Sequence, residues 1–340
     1  MIILLYILKK TIKLLHIIMR TQEQIWYDDF IEILHKKYPQ KTQLIKSLKK
    51  ILGLKQVAIY RRMQKQVFFS VHEISKIATE LNISLDEITR IDSERVAFHL
   101  KQINYLNPSN EEVIFLRNII QSIYLFRNYP DTEFMDISNR LPRQLIAGYE
   151  HLNRFFLFKW RYQYGYDCDF SRFSEISVSD EKLRVTKEYY QAIKQVPQTI
   201  FVWDRLIFHY LVNDIRYFIS IYLITDEEKE LLKKDLNNLL DYMLEVADKG
   251  CYPETQNKVN LYISQTNIDT NYNYTFTPEA NICFVHAFEK FEIYTFHSEI
   301  VTNFMSWMQL YKKTATPISQ IDEKKRIEFF MQQKQLVNNL

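Results

Sequence analysis

Four side chains between positions 55 and 61 carry hydrogen-bonding groups suited to the edges of DNA bases: Lys55, Gln56, Tyr60 and Arg61. Arginine or lysine donates to guanine O6 and N7, and glutamine pairs with adenine N6 and N7. All four point outward from one short helix over about 55–64 if Ala58 and Ile59 face inward. A second set, Lys41, Thr42, Lys46, Arg62 and Lys65, has the chemistry that holds phosphates and fixes register without reading sequence. Arg62 has an alternative place, half-buried with its stem packed on the module.

The charge pattern points the same way. Between Lys36 and Lys65 lie ten lysines and arginines and no aspartate or glutamate. Removing those ten from a formal net charge of +3 leaves the rest of the chain at −7. A basic module on an acidic body suits a polyphosphate partner, because neutralising phosphates releases condensed counterions.

These side chains need a set of short helices to hold them. Ile25, Trp26, Phe30, Ile31 and Leu34 recur at helical spacing ahead of Pro39. Thr42 is placed to cap a second helix whose buried side is Leu44, Ile45, Leu48, Ile51 and Leu52, and Gly53 supplies the turn after it. Ser70-Val71-His72-Glu73 and Ser84-Leu85-Asp86-Glu87 are capping boxes that open two more helices. Five short helices with a glycine turn between the second and third make a helix-turn-helix layout.

On these residues the stretch resembles the lambda-repressor-like, Cro/repressor-type helix-turn-helix family. The matching positions are Gly53-Leu54, Ala58-Ile59-Tyr60-Arg61 and the tail Ile77-Ala78-x-x-Leu81-x-Ile83-Ser84-Leu85-Asp86-Glu87-Ile88, about fifty residues in all. It departs from the family at Ile45 and Lys49, where Gln and Ala are usual, and at Lys65, where Gly is common. Tyr60-Arg61-Arg62, Phe156-Leu157-Phe158-Lys159-Trp160 and Arg326-Ile327-Glu328-Phe329-Phe330 also resemble segments of long bacterial regulators that follow such a module with a helical region. The resemblance implies double-stranded DNA as partner, a homodimer and a role in transcription regulation. It supplies no effector, so a small molecule or a peptide remains open.

Other chemistry finds little footing. Only four glycines occur in 340 residues, all isolated, so no glycine-rich phosphate loop can be assembled. His72-Glu73-Ile74-Ser75-Lys76 has lysine where a zinc protease needs its second histidine. No G-x-S-x-G nucleophile turn is present, and Asp167-Cys168-Asp169 reads as ordinary surface. Three widely spaced cysteines suggest free thiols in a reducing compartment, hence a cytoplasmic protein. The expectation is a non-enzyme without cofactor or metal.

The first twenty residues are apolar but broken by Lys9, Lys10 and Lys13. Stable membrane insertion is not expected. They read either as an amphipathic helix at a membrane surface or as a segment preceding a true start at Met19. The predicted division is 1–20 lead-in, 21–95 helix-turn-helix domain, 96–110 linker and 111–340 helical dimerisation and effector domain. Helices are predicted over about 109–127, 142–164, 180–195, 201–223, 226–249, 298–313 and 320–338, and strands within 258–296. The fold class is therefore mainly α, an N-terminal five-helix helix-turn-helix domain followed by a larger helical domain with a small inserted β-sheet near 258–296. The alternative function is a protein- or peptide-binding adaptor acting through the C-terminal domain. The 23 tyrosines and 23 phenylalanines are read as core and subunit-contact packing.

Overall fold

The computed structural model describes residues 22–38, 40–81, 83, 85, 98–100, 108–164, 172–279, 281–287 and 291–340. The apolar lead-in and the Asp167-Cys168-Asp169 trio lie outside them, as does most of the fifth helix expected from Ser84. The chain divides into two compact units, Met1–Ala97 and Phe98–Leu340.

The first unit contains α1 (Gln22–Lys37), α2 (Lys41–Leu52), α3 (Gln56–Met63) and α4 (Val71–Leu81). Gly53 ends α2 at φ 67°, its N–H bonded to the Lys49 carbonyl, where a side chain would strain the backbone. The α2 N-cap is Gln40, with no side-chain bond, so Thr42 lies within the first turn and is not the cap. The Ser70 box forms as a reciprocal pair: the Glu73 N–H donates to Ser70 Oγ at 3.2 Å and the Ser70 N–H to Glu73 Oε2 at 2.8 Å. Phe30 and Leu34 of α1, Leu44 and Leu48 of α2, Ile59 of α3 and Ile77 of α4 are fully buried together. Each such side chain contributes roughly 1.5–3 kcal/mol by leaving water.

Tyr27 joins the pieces. Its ring is buried, its hydroxyl donates to the Arg62 carbonyl at 3.1 Å and accepts from the Phe69 N–H at 3.1 Å. One phenol thus links α1, α3 and the segment entering α4. Burial pushes its pKa up to about 12, against the opposing effects of the Phe69 N–H and Arg62.

The second unit overturns the mainly helical expectation. It is built on an eight-stranded mixed sheet in the order β1-β7-β6-β5-β2-β3-β4-β8. The strands are β1 (His99–Leu100), β2 (Glu133–Ser138), β3 (Gln198–Trp203), β4 (Lys258–Ile263), β5 (Tyr272–Phe276), β6 (Asn281–Ala287), β7 (Phe291–Thr295) and β8 (Thr316–Pro317). β2, β3 and β4 run parallel, and the remaining pairings are antiparallel. The sheet is therefore the frame of an α/β unit, not a small insertion. β3 occupies the start of the segment read as helix 201–223.

Parallel neighbours require long crossovers, and helices supply them. α5 (Pro108–Phe126) precedes β2. Between β2 and β3 come α6 (Arg143–Ile146), α7 (Glu150–Tyr164) and α8 (Asp180–Ile193), so the helix predicted over 142–164 is two. Between β3 and β4 come α9 (His209–Ser220) and α10 (Asp226–Lys249), while α11 (Ser298–Thr314) lies between β7 and β8 and α12 (Glu323–Asn338) follows β8. One sheet face sets Phe201, Trp203, Val259 and Leu261 against the core of α7, α9, α10 and α12. The other sets Met135, Ile137, Ile200 and Val202 against Val301 and Met308 of α11. Phe155, Phe158, Phe173 and Phe218 pack edge to face or tilted in the first of these cores, so much of the aromatic content is interior. Cys283 is likewise a buried packing residue.

Candidate nucleic-acid interface

α3 has one turn-and-a-half of buried side, Ile59 and Met63, with Ala58 partly covered. Lys55, its N-cap, and Gln56 and Arg61 are exposed. Tyr60 is only half-exposed. Its ring packs against the core of the unit and lies under Lys41 Nζ at 5.5 Å, a cation–π contact. Val57 is 70% exposed between the polar residues of the same surface. Sequence reading passed over it because a valine suggests core by type. Its place on the helix gives the better signal: 57 lies two residues before 59, about 160° round the helix from it, so with 59 and 63 inward it must face out with 61 and 64. An outward valine can pack on a thymine methyl group.

On α2, Thr42, Lys46 and Lys49 are exposed, on the side opposite buried Leu44, Ile45 and Leu48. Lys50 is exposed beside them. Among the described residues, none of Lys46, Lys49, Lys50, Lys55 and Arg61 is paired with a carboxylate. Lys49 departs from the resembled family, yet it points to water and not into a helix contact.

Two of the predicted phosphate ligands are engaged elsewhere. Arg62 donates from Nε and Nη2 to the two Glu73 oxygens at 3.0 and 2.9 Å and from Nη1 to the Ala58 carbonyl at 3.3 Å. Its guanidinium also sits 5.9 Å from the centre of the Phe69 ring. A fork already closed on a carboxylate has little left for a phosphate, so Arg62 is an internal clamp between α3 and α4. Lys65 is ion-paired with Asp28 of α1. It also adopts φ 61°, the left-handed region in which glycine is at ease. The glycine common at this position in the resembled family has a physical reason in this chain.

Glu73 shows the strength of the clamp. Its partial burial works to raise the carboxyl pKa, but bonds from Arg62 and Ser70 outweigh it and hold the group below the usual glutamate value. The interface that results is narrower than the predicted one. It consists of Lys55, Gln56, Val57 and Arg61 on α3, with Tyr60 at its edge, and Lys41, Thr42, Lys46, Lys49 and Lys50 on α2.

No protein-family model, no curated protein and no solved structure matches the chain. Among the described residues, no helix is long and apolar enough to cross a membrane.

Proposed function

We propose that the chain is a sequence-specific DNA-binding transcriptional regulator acting in the cytoplasm. α3 reads the major groove, and α2 lies along the adjoining phosphates. The observation that carries this reading is the pairing pattern. Among the described residues, the cations on the outer faces of α2 and α3 have no carboxylate partners, whereas Arg62 and Lys65, which face other helices, do. The same stretch, Lys36 to Lys65, holds ten cations and no aspartate or glutamate, so the face turned to water is of one sign throughout. One short recognition helix covers few base pairs, so the working unit is a homodimer on two half-sites about one helical turn apart.

Selection from random double-stranded DNA with the full chain, followed by affinity measurement at two salt concentrations, tests the reading. The expected result is an enriched site with twofold symmetry and an affinity that falls steeply with salt. Each of Lys46→Gln and Lys49→Gln should reduce the logarithmic salt slope by about 0.9. No enrichment, with weak and salt-insensitive binding, would replace the proposal with a protein- or peptide-binding adaptor.

A further inference from the structure

The sheet face that carries Phe201 and Trp203 is filled unevenly. Over β3 and β4 the helices pack into a continuous core. Over β2, β5 and β6, beneath α5 and α8, there is a cavity of about 780 Å³. Protein interiors are close-packed, and voids larger than a water molecule are few. A space of this size lies in the range of small-molecule sites, about 300–1,000 Å³.

The strand register places two rows of cross-strand neighbours in its floor. One row is Phe201, Asp136, Asn273, Phe284 and Tyr294. The other, nearer the start of β2, is Thr199, Phe134, Thr275 and Ile282. Exposure rises along the first row. Phe201 and Asp136 are buried, Asn273, Phe284 and Tyr294 are half-buried, and Phe296 beyond them is 57% exposed. The space is thus closed over β3 and opens across β6 and β7. Ile119 and Ile123 of α5 and Leu183 and Ile193 of α8 give it an aliphatic wall. Floor and wall together suit a hydrocarbon body.

The polar groups of the lining decide what that body can carry. Those with a formal charge are engaged within the protein. Glu112 is ion-paired with both Arg143 and Lys182, the latter at 2.6 Å. Asp136 accepts from Ser138 and from Gln144. Arg140 is exposed, and its guanidinium lies 5.5 Å from the centre of the Tyr210 ring. A charged ligand would strip one of these groups of its partner or bury its own charge without one, and either is costly. Uncharged groups are differently placed. Asn271 is used up in fastening a loop: it accepts from the Asn139 and Arg140 N–H groups and donates to the Arg140 carbonyl. Asn273, two residues on and also in the lining, has a carboxamide with no hydrogen-bond partner among the described residues, and the Thr275 hydroxyl beside it has none either. A carboxamide both donates and accepts, so it can answer a hydroxyl or an amide.

We infer that this cavity binds an uncharged amphiphile, a hydrocarbon chain ending in a hydroxyl or amide group. The chain lies along the Phe134–Ile282 row and the end group bonds to Asn273. The inference does not rest on the DNA reading, and its test involves no DNA. Calorimetry on the full chain would compare 1-hexanol, 1-octanol and 1-decanol, below their solubility limits, with octanoate and octylammonium. Saturable one-to-one binding of the alcohols is expected, tightening by about fourfold per methylene until the cavity is full. Octanoate and octylammonium should bind at least about tenfold more weakly than 1-octanol. Asn273→Leu should weaken 1-octanol by about threefold to tenfold, the loss of one neutral hydrogen bond, without weakening 1-chlorooctane. Ile282→Trp, checked for folding by circular dichroism, should abolish binding. Absence of saturable binding by every alcohol, or binding of either ion as tight as that of 1-octanol, overturns the proposal on the wild-type protein alone. Undiminished 1-octanol binding by folded Asn273→Leu overturns the end-group contact, and by folded Ile282→Trp the site.

Discussion

At the scale of single residues, Arg61 and Arg62 are adjacent in sequence and opposite in use. Arg61 is exposed and Arg62 is closed on Glu73. In the proposed complex Arg61→Ala should lower affinity for the selected site by about tenfold to a hundredfold and relax the preference at one base-pair position, with little change on unrelated DNA. Quantitative binding to a panel of single-base variants checks this; a uniform loss would make Arg61 a phosphate contact. Glu73 gives a pH prediction. Its carboxyl pKa is depressed in the folded chain, so its stabilising effect is complete well above the ordinary value of 4.5 and is lost as pH falls through the lower folded value. The protection factors of amides in the 71–81 segment, taken relative to the intrinsic exchange rate at each pH, should therefore fall with acidification more steeply in the wild type than in Glu73→Gln. At neutral pH the variant should be less stable by about 2 kcal/mol, the cost of breaking a charge-assisted pair that is largely out of water.

At the scale of elements, the turns and caps are where sequence and backbone agree most closely. α10 spans Asp226–Lys249, opened by the Thr225–Glu228 capping box and closed by Gly250 at φ 69°, all of which the residues announce. β5 was equally legible, its residues Tyr272–Phe276 being β-branched or aromatic apart from Asn273. β2 and β3 were not. A parallel strand covered on both faces loses the alternation that marks a strand, and the run IFVW that ends β3 is apolar throughout. β2 alternates, but the face opposite Met135 and Ile137 mixes Phe134 with Asp136 and Ser138, which hides the period. In the candidate interface, the basic window was plain in the sequence, whereas the partners of Arg62 and Lys65 lie on α4 and α1 and only the fold brings them near. The turn after α3 carries its own prediction. With Lys65 at φ 61°, Lys65→Gly should be more stable than Lys65→Ala by about 1 kcal/mol, because both lose the Asp28 pair and only alanine keeps the strain. Thermal or urea unfolding of the two variants measures the difference.

At the scale of the whole molecule, two units of different construction share one chain. The first is made of contacts between helices close in sequence. The second closes its sheet by pairing β1 at His99 with β7 at Tyr294, and β2 at Glu133 with β5 at Phe276. The proposed base and phosphate contacts all lie in the first unit.

The β1–β7 pairing also sets an order of events in time. During synthesis His99 leaves the ribosome long before Tyr294 exists, so that edge of the sheet must wait for nearly the whole chain, while every partner in the 22–81 core is already present. Long-range strand pairing is slow in any case, since loop-closure entropy is met before the contacts form. Pulse-labelled hydrogen exchange during refolding of the full chain should find the 71–81 helix protected in an earlier phase than 291–295. Simultaneous protection of both segments would mean that the two units fold as one cooperative body.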